Sequence, residues 1–413
     1  MDILVLAPYP PYPARFGGAT RIFHLIRVLA RDHRVTLLCF ASPDQRAALG
    51  PLWELCSGVH TVDYPVAARQ KRLYQLRSLA GRAYSYYAYY SPPMARALHA
   101  LLARQRFDIV QLEFGDAGGY YEVPGTVLTV LDEHNVEHRI LERTWQQETS
   151  PIRRLYNRVE AQKLRRDELA ACRRADGILT TSDVDRATLA THVSGIPIRV
   201  IPNGVDTTFF VPPPPGTEDP KRIVFTGAIN YQPNTDGVLH FCEEILPRIH
   251  AVAPEVTFAV VGKDPPERVR ALAGPRVEVT GTVPDVRPWM CRAGMFVVPL
   301  RVGGGTRLKI LEAMASGRAV ISTSLGCEGL EVTHGDDIMI ADTPADFADA
   351  VLRCLRDPGL RARLGARGRV LAERRYRWEV IGDELSAFYQ DLQDTAVRAI
   401  SRQNGRPRRR FAA

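Results

Sequence analysis

Acidic residues are missing from a long part of this 413-residue sequence. Between Tyr64 and Phe107 there is no Asp or Glu, while Arg69, Lys71, Arg72, Arg77, Arg82, Arg96, Arg104 and Arg106 all fall inside that stretch. Long apolar runs are missing too: none reaches the ~20 residues a membrane-spanning helix needs. The N-terminus lacks the basic region of a signal peptide, so Ile3–Ala7 is read as a first β-strand. The seven cysteines are scattered and form no Cys-x-x-Cys pair. That argues against a disulfide framework and structural zinc, and predicts reduced thiols in a cytoplasmic protein. The loop after the first strand is not Gly-x-Gly-x-x-Gly, and neither a Gly-x-Ser-x-Gly elbow nor a P-loop lysine pattern occurs. No His/Cys/Asp/Glu spacing calls for a metal. The Asp-x-Asp of Ser182-Asp183-Val184-Asp185 reads as a helix cap with acids in the first turn.

What is present is an alternation of strand-like and helix-like segments, which implies parallel sheets flanked by helices. Strands are expected at Ile3–Ala7, Val35–Phe40, Val59–Asp63, Ile109–Glu113, Val127–Leu131, Gly177–Thr181 and Arg199–Ile201. The pattern restarts after Pro212-Pro213-Pro214-Pro215, with strands at Arg222–Thr226, Thr257–Val261, Val277–Thr280, Met295–Pro299, Ala319–Ser322 and Ile338–Ile340. The fold class is therefore α/β: two tandem doubly wound Rossmann-like domains facing a cleft. The division expected is 1–203 for the first domain, 204–220 as a proline-stiffened linker, and 221–376 for the second. A helix over 377–396 then crosses back onto the first domain, and 397–413 forms a disordered basic tail.

The most informative segment is Gly303-Gly304-Gly305-Thr306-Arg307-Leu308-Lys309-Ile310-Leu311-Glu312. A strand, three glycines and a helix start make a phosphate site, because the backbone can approach closely and the first helical N–H groups are unpaired. Arg307 and Lys309 stand at the helix end that repels cations, which is easier to understand if an anion sits there. Glu312 follows one turn later, within reach of a ribose. In the first half, Phe16-Gly17-Gly18 ends a long loop at a helix start and is read either as a simple turn or as a second wall for the phosphate. His134 lies just past a strand's carboxyl end in Leu131-Asp132-Glu133-His134-Asn135. A helix cap by Asp132 or Asn135 and an active-site histidine both account for that placement. Asn203-Gly204 reads as a turn at the domain junction. The basic stretch is interleaved with Tyr74, Tyr84, Tyr86, Tyr87, Tyr89 and Tyr90. It reads either as a solvated helical face with packed tyrosines or as a surface for anionic lipid. No nucleic-acid motif accompanies the charge, so nucleic acid is not an expected partner.

Together these pieces resemble the retaining nucleotide-sugar glycosyltransferases of family 4 (group 1), which have the GT-B fold. The likeness rests on Phe16-Gly17-Gly18, His134, Pro202-Asn203-Gly204-Val205-Asp206, Phe225-Thr226-Gly227 and Leu311-Glu312-Ala313-Met314-Ala315-x-Gly317. Within the family the chain is similar to bacterial envelope or exopolysaccharide sugar transferases. The resemblance implies sugar transfer from a nucleoside-diphosphate sugar to a carbohydrate or lipid-linked acceptor hydroxyl. It also implies retention, and neither metal nor cofactor. Donor binding would fall to Gly17, Gly18, Gly227, Gly305, Thr306, Arg307, Lys309, Leu311 and Glu312. Catalysis would fall to His134, Arg307 and Lys309, with His134 against the transferred sugar.

Two departures matter. A second glutamate, common in the family eight residues before the first, is replaced here by Gly304. The Arg/Lys pair common after the first strand of the second domain is absent from Gly227-Ala228-Ile229-Asn230-Tyr231-Gln232-Pro233-Asn234, so Arg307 and Lys309 are expected to supply that charge. A nucleotide-sugar epimerase and a non-catalytic sugar-binding relative of the same fold remain alternatives. The expected location is cytoplasmic, at the inner face of a membrane if the basic segment binds lipid.

Overall fold

The computed structural model describes residues 1–14, 16–64, 71–214, 216–303, 305 and 307–404. Arg69, Gly304, Thr306 and the arginines from 406 onward lie outside the described residues. The chain divides into two compact units, 1–201 with 382–413, and 202–381.

Unit 1 is built on a seven-stranded parallel sheet. Its strands are β1 (Asp2–Ala7), β2 (Arg34–Phe40), β3 (Gly58–Val62), β4 (Ile109–Glu113), β5 (Leu128–Glu133), β6 (Gly177–Thr180) and β7 (Ile198–Val200), in the order β3-β2-β1-β4-β5-β6-β7. β1 is apolar almost throughout because helices cover both faces of such a sheet. The Gly17–Leu29 helix buries Ala19, Ile22, Leu25, Ile26 and Leu29, which the 3.6-residue period places on one side. In β4 the pattern breaks: Gln111 and Glu113 are polar and fully enclosed. Two residues apart, they share one face, and Glu113 is level with Asp132 on β5.

Unit 2 carries a six-stranded parallel sheet. Its strands are β8 (Asp219–Thr226), β9 (Thr257–Val261), β10 (Val277–Gly281), β11 (Ala293–Val298), β12 (Ala319–Ser322) and β13 (Met339–Ile340), in the order β10-β9-β8-β11-β12-β13. In both sheets the first strand is central and the order reverses beside it. Ligands of open α/β sheets bind at such a switch point, beyond the strands' carboxyl ends.

Several expectations need correction. Residues 204–220 are no free linker. Val205 bridges to Arg377, Arg369 donates to the carbonyls of Thr207 and Phe210, and Pro212 packs on Gly317. Asn203-Gly204 forms no turn either, and Gly204 is needed because the Trp378 ring lies where a side chain would go, 2.6 Å from an added Cβ. The last helix runs Trp378–Asn404, so 397–404, expected as disordered tail, is helical. Its residues up to Ile381 belong to unit 2 and those from Gly382 to unit 1. Ser182 caps its helix as expected, accepting from the Asp185 amide at 3.1 Å. All seven cysteines are free thiols.

Candidate active site

In unit 2 the site begins with two glycines that follow adjacent strands. Gly227, after β8, and Gly262, after β9, have φ of +152° and +151°. A Cβ on Gly262 would lie 1.7 Å from the Gly227 oxygen, so no other residue fits there. Over Gly227 sits the Lys309 ammonium, 2.8 Å from where a Cβ would be. Lys309 Nζ donates to Asn234 Oδ1 at 2.8 Å and stands 3.8 Å above the Phe225 ring. The Asn234 amide in turn donates to the Ala228 carbonyl. Lys309 thus reaches the loop that lacks its own cation.

Arg307 is the N-cap residue of the Leu308–Ala315 helix rather than part of its first turn. It is nine-tenths buried, and its guanidinium lies beside Gly303, whose φ of +111° leaves room for it. Burial, and then the Arg307 charge, hold the Lys309 pKa well below the usual lysine range. Burial pushes Glu312 up to about 7, with Lys309 opposing. Two cations and one reluctant carboxylate are gathered around glycine turns, where an anion would relieve the crowding of positive charge. Gly305, at φ +77°, belongs to the same loop. Leu311 needs correction: expected at the donor, its side chain is fully enclosed in the apolar core.

In unit 1 the Gly17–Leu29 helix starts without a side-chain cap. Gly18 needs no side chain because the Tyr9 hydroxyl occupies the space, 2.1 Å from an added Cβ, with Phe114 at 3.0 Å. Phe114, at φ +65°, stacks on the His134 ring with centroids 3.7 Å apart. His134 caps nothing, and neither do Asp132 and Asn135: the next helix starts at Glu137 without a side-chain cap. His134 Nε2 lies 2.7 Å from Glu113 Oε2 and 3.7 Å from Asp132. Asp132 accepts both Nε and Nη2 of Arg21, at 3.0 and 2.9 Å, and Arg21 Nη1 donates to the Ile201 carbonyl. Glu113, Asp132 and His134 offer ligand atoms within 4.8 Å of one another, the one such group among the described residues. With Arg21 holding both oxygens of Asp132, a guanidinium already supplies the cation there, and the trio does not fit a metal ion.

Glu113, Gln111, Arg21 and Asn234 were not singled out from the sequence. The available signal was a glutamine and a glutamate alternating in an otherwise apolar central strand. Elsewhere in unit 1 a second polar group surrounds a cavity of about 310 Å³, lined among others by Tyr84, Asp116, Glu137, Tyr156 and Glu160. Burial raises Asp116 to about 7 and Glu137 to about 8.

The 64–107 stretch has the packed tyrosines of the solvated-face reading, and its helices expose leucines rather than tyrosines. Its tyrosines pack on one another: Tyr86 stacks on Tyr90 and meets Tyr120 edge-on, and Tyr74 is buried. The exposed apolar side chains are Leu73, Leu76 and Leu79 of the Lys71–Ala80 helix, with Ile152, Leu155 and Val159 of the Pro151–Cys172 helix. The two helices touch through Ser78 and Tyr156, whose hydroxyls are 3.1 Å apart. No helix among the described residues is long and apolar enough to cross a membrane.

Comparison with known proteins adds sequence and fold relatives. A family model described as Glycosyltransferase Family 4 matches residues 17–209, and one described as Glycosyl transferases group 1 matches 220–357. A lipopolysaccharide core biosynthesis mannosyltransferase of Rhizobium leguminosarum is 27% identical over 237 residues, 53% of this chain and 66% of that protein. A phosphatidyl-myo-inositol mannosyltransferase of Mycolicibacterium smegmatis is 27% identical over 210 residues, 48% of this chain and 53% of that protein. The matched part thus spans between half and two thirds of those relatives' own length. Among solved structures, sucrose-phosphate synthase from Thermosynechococcus elongatus aligns over 96% of this chain and all of its own, with TM-score 0.69 and 18% identity. Anabaena HepE in complex with UDP-glucose aligns over 95% of this chain and all of its own, with TM-score 0.66 and 16% identity. At those identities the likeness concerns the fold.

Proposed function

The chain belongs to the group 1 glycosyltransferases of family 4, and from that premise we propose that it moves a hexosyl group from a nucleoside-diphosphate sugar to an acceptor hydroxyl. The acceptor is a carbohydrate or a lipid-linked glycan of the cell envelope, and the protein works in the cytoplasm. The observation that carries this reading is the Lys309–Asn234–Gly227 array with Glu312 one turn away. The bond from the anomeric carbon to the diphosphate oxygen breaks, and its electron pair leaves with the diphosphate. Lys309 and Arg307 stabilise that developing charge from fixed positions, in place of a metal ion. Glu312 holds the ribose hydroxyls, and His134 faces the sugar. The acceptor oxygen adds on the face the diphosphate leaves, its proton passing to a departing phosphate oxygen, which gives retention.

Mannosyltransferases among the relatives and UDP in the solved structures make GDP-mannose and UDP-glucose the first donors to screen by thermal shift, followed by ADP and dTDP sugars. Transfer is then assayed with Lys309→Ala and Glu312→Ala. Lys309→Ala is expected to lower turnover by about 10²–10³. Near-full turnover in both variants overturns the site assignment. An epimerised donor formed without acceptor would favour an epimerase instead.

The exposed leucine and isoleucine rows, ringed by Lys71, Arg72, Arg77, Arg153, Arg154 and Arg158, suit an anionic membrane surface. The stems and apolar residues enter the headgroup region while the cations meet lipid charge. A lipid-linked acceptor would be met at that surface.

A further inference from the structure

A buried hydrogen-bonded chain leads from the last helix to His134. Tyr389 donates its hydroxyl to Gln111 Oε1, Gln111 Nε2 donates to Glu113 Oε1 at 2.5 Å, and Glu113 Oε2 meets His134 Nε2 at 2.7 Å. All four side chains are at least 95% enclosed. We infer that this chain keeps one proton on the Glu113–His134 bond and so fixes His134 as a hydrogen-bond donor at Nδ1, aimed at a hydroxyl oxygen of the transferred hexose. The inference rests on the reading that His134 faces that sugar.

The argument starts at the far end. A phenol has one hydrogen to give, and Gln111 Oε1 takes it. That orients the amide, so its NH₂ faces Glu113. Glu113 therefore accepts at Oε1 and has only Oε2 left for the histidine. The charges around the pair come next. Arg21, from the Gly17–Leu29 helix, neutralises Asp132 on β5 through two hydrogen bonds. The phenols of Tyr9, after β1, and Tyr389 also face Glu113, and burial raises both, leaving them neutral. Glu113 then stands as a carboxylate without a permanent cation of its own in a place shut off from water. Burial, followed by the Asp132 charge, raises its pKa, while His134 and Arg21 act in the opposite direction. One proton shared with His134 makes the quartet of Arg21, Asp132, Glu113 and His134 neutral, which low-dielectric surroundings favour.

That proton belongs to the pair rather than to either residue. In one arrangement the pair is an imidazolium with a carboxylate; in the other, an imidazole accepting from a carboxylic acid. In both, Nε2 is engaged with Glu113 and Nδ1 carries a hydrogen. Only loss of the shared proton lets Nδ1 become an acceptor. Phe114 stacked on the ring holds its plane, and Thr181 anchors the His134 carbonyl at 3.1 Å. Glu113, Gln111 and Tyr389 are positioning residues in this account, and His134 is the one that touches the sugar.

The test separates the tautomer from the function. In the full chain labelled with ¹⁵N-histidine, the His134 resonances, assigned by difference against His134→Gln, should show a protonated Nδ1 at pH 7. A protonated Nε2 with a bare Nδ1 overturns the inference, whatever the activity. Glu113→Gln offers a second readout. With its oxygen accepting from Gln111 and its amide donating to Nε2, it keeps the Nδ1 hydrogen and removes the titration. Expected is a kcat within about threefold of wild type at pH 7 and loss of the alkaline limb of the kcat profile, while Glu113→Leu falls 100-fold or more. A 100-fold loss in folded Glu113→Gln overturns the inference, as does an alkaline limb unchanged from wild type. Near-normal kcat in His134→Ala instead sinks the functional reading of His134, and leaves the NMR result to judge the tautomer alone.

Discussion

In the proposed donor site Glu312 is a carboxyl whose work depends on being ionised, held in surroundings that resist ionisation. Two ribose hydroxyls are best received by a carboxylate, which accepts at both oxygens. Burial pushes Glu312 up to about 7, so near pH 6 most of the protein must first lose a proton before it binds. Nucleotide affinity should fall roughly tenfold per pH unit below that midpoint and level off above it. Calorimetric titration of GDP or UDP between pH 6 and 8.5 checks this, and Glu312→Gln should bind more weakly with no such slope. Because the folded value lies above the unfolded one of 4.5, the unliganded protein loses this group's share of stability as pH rises from about 4.5 through 7. Bound diphosphate should act on Lys309 in the opposite sense to burial, restoring the charge that desolvation and Arg307 suppress.

Elements were largely legible in the sequence, and the reasons for the exceptions are local. The apolar runs of β1 and β11 could hardly be anything other than buried parallel strands, and Ser182 announced its helix by residue type alone. The glycine segment before Glu312 stood out in the sequence because strand, glycines and misplaced cations coincide, and in the fold Arg307 lies beside Gly303 and Lys309 beside Gly227. Gly204 was misread because Asn-Gly has a strong local preference that a distant Trp378 overrides. Replacing Gly204 by Ala should therefore cost about 1–3 kcal/mol through overpacking against Trp378 and Ile381. A fall in melting temperature with donor binding retained below it is the expected result, and an unchanged melting temperature would show that the ring simply moves aside. The quartet around His134 escaped notice because Arg21, Glu113 and Asp132 come from three separate elements, and only the register of β4 against β5 reveals that two of them are neighbours. Tyr389 lies 278 residues from its partner Gln111, beyond the reach of any local pattern.

At the scale of the molecule, the Lys71–Ala80 and Pro151–Cys172 helices present Leu76 at 65% and Ile152 at 82% exposure, with cations on either side. Exposed rows of this size mark an interaction surface. Sedimentation with vesicles containing anionic lipid should show binding that weakens with salt. The double change Leu76→Gln with Ile152→Gln should lower partitioning by at least about tenfold, since even one methylene-equivalent lost at each site removes about 1.6 kcal/mol in all. Absence of binding to such vesicles at low salt would remove the membrane from the proposal. The last helix has a different consequence. Unit 1 is closed by residues from Gly382 onward: Phe388 and Leu392 fill the space over Gly177, Gly382 packs on Val28, and Tyr389 completes the hydrogen bonds of Gln111. During synthesis the first 201 residues leave the ribosome with that side of their core uncovered, and about 180 more must follow before the covering helix exists. At 5–20 residues per second the wait is roughly 10–40 s. Through that interval the half-built domain is a natural client for a chaperone, and a nonsense codon anywhere in the second half would cripple the first.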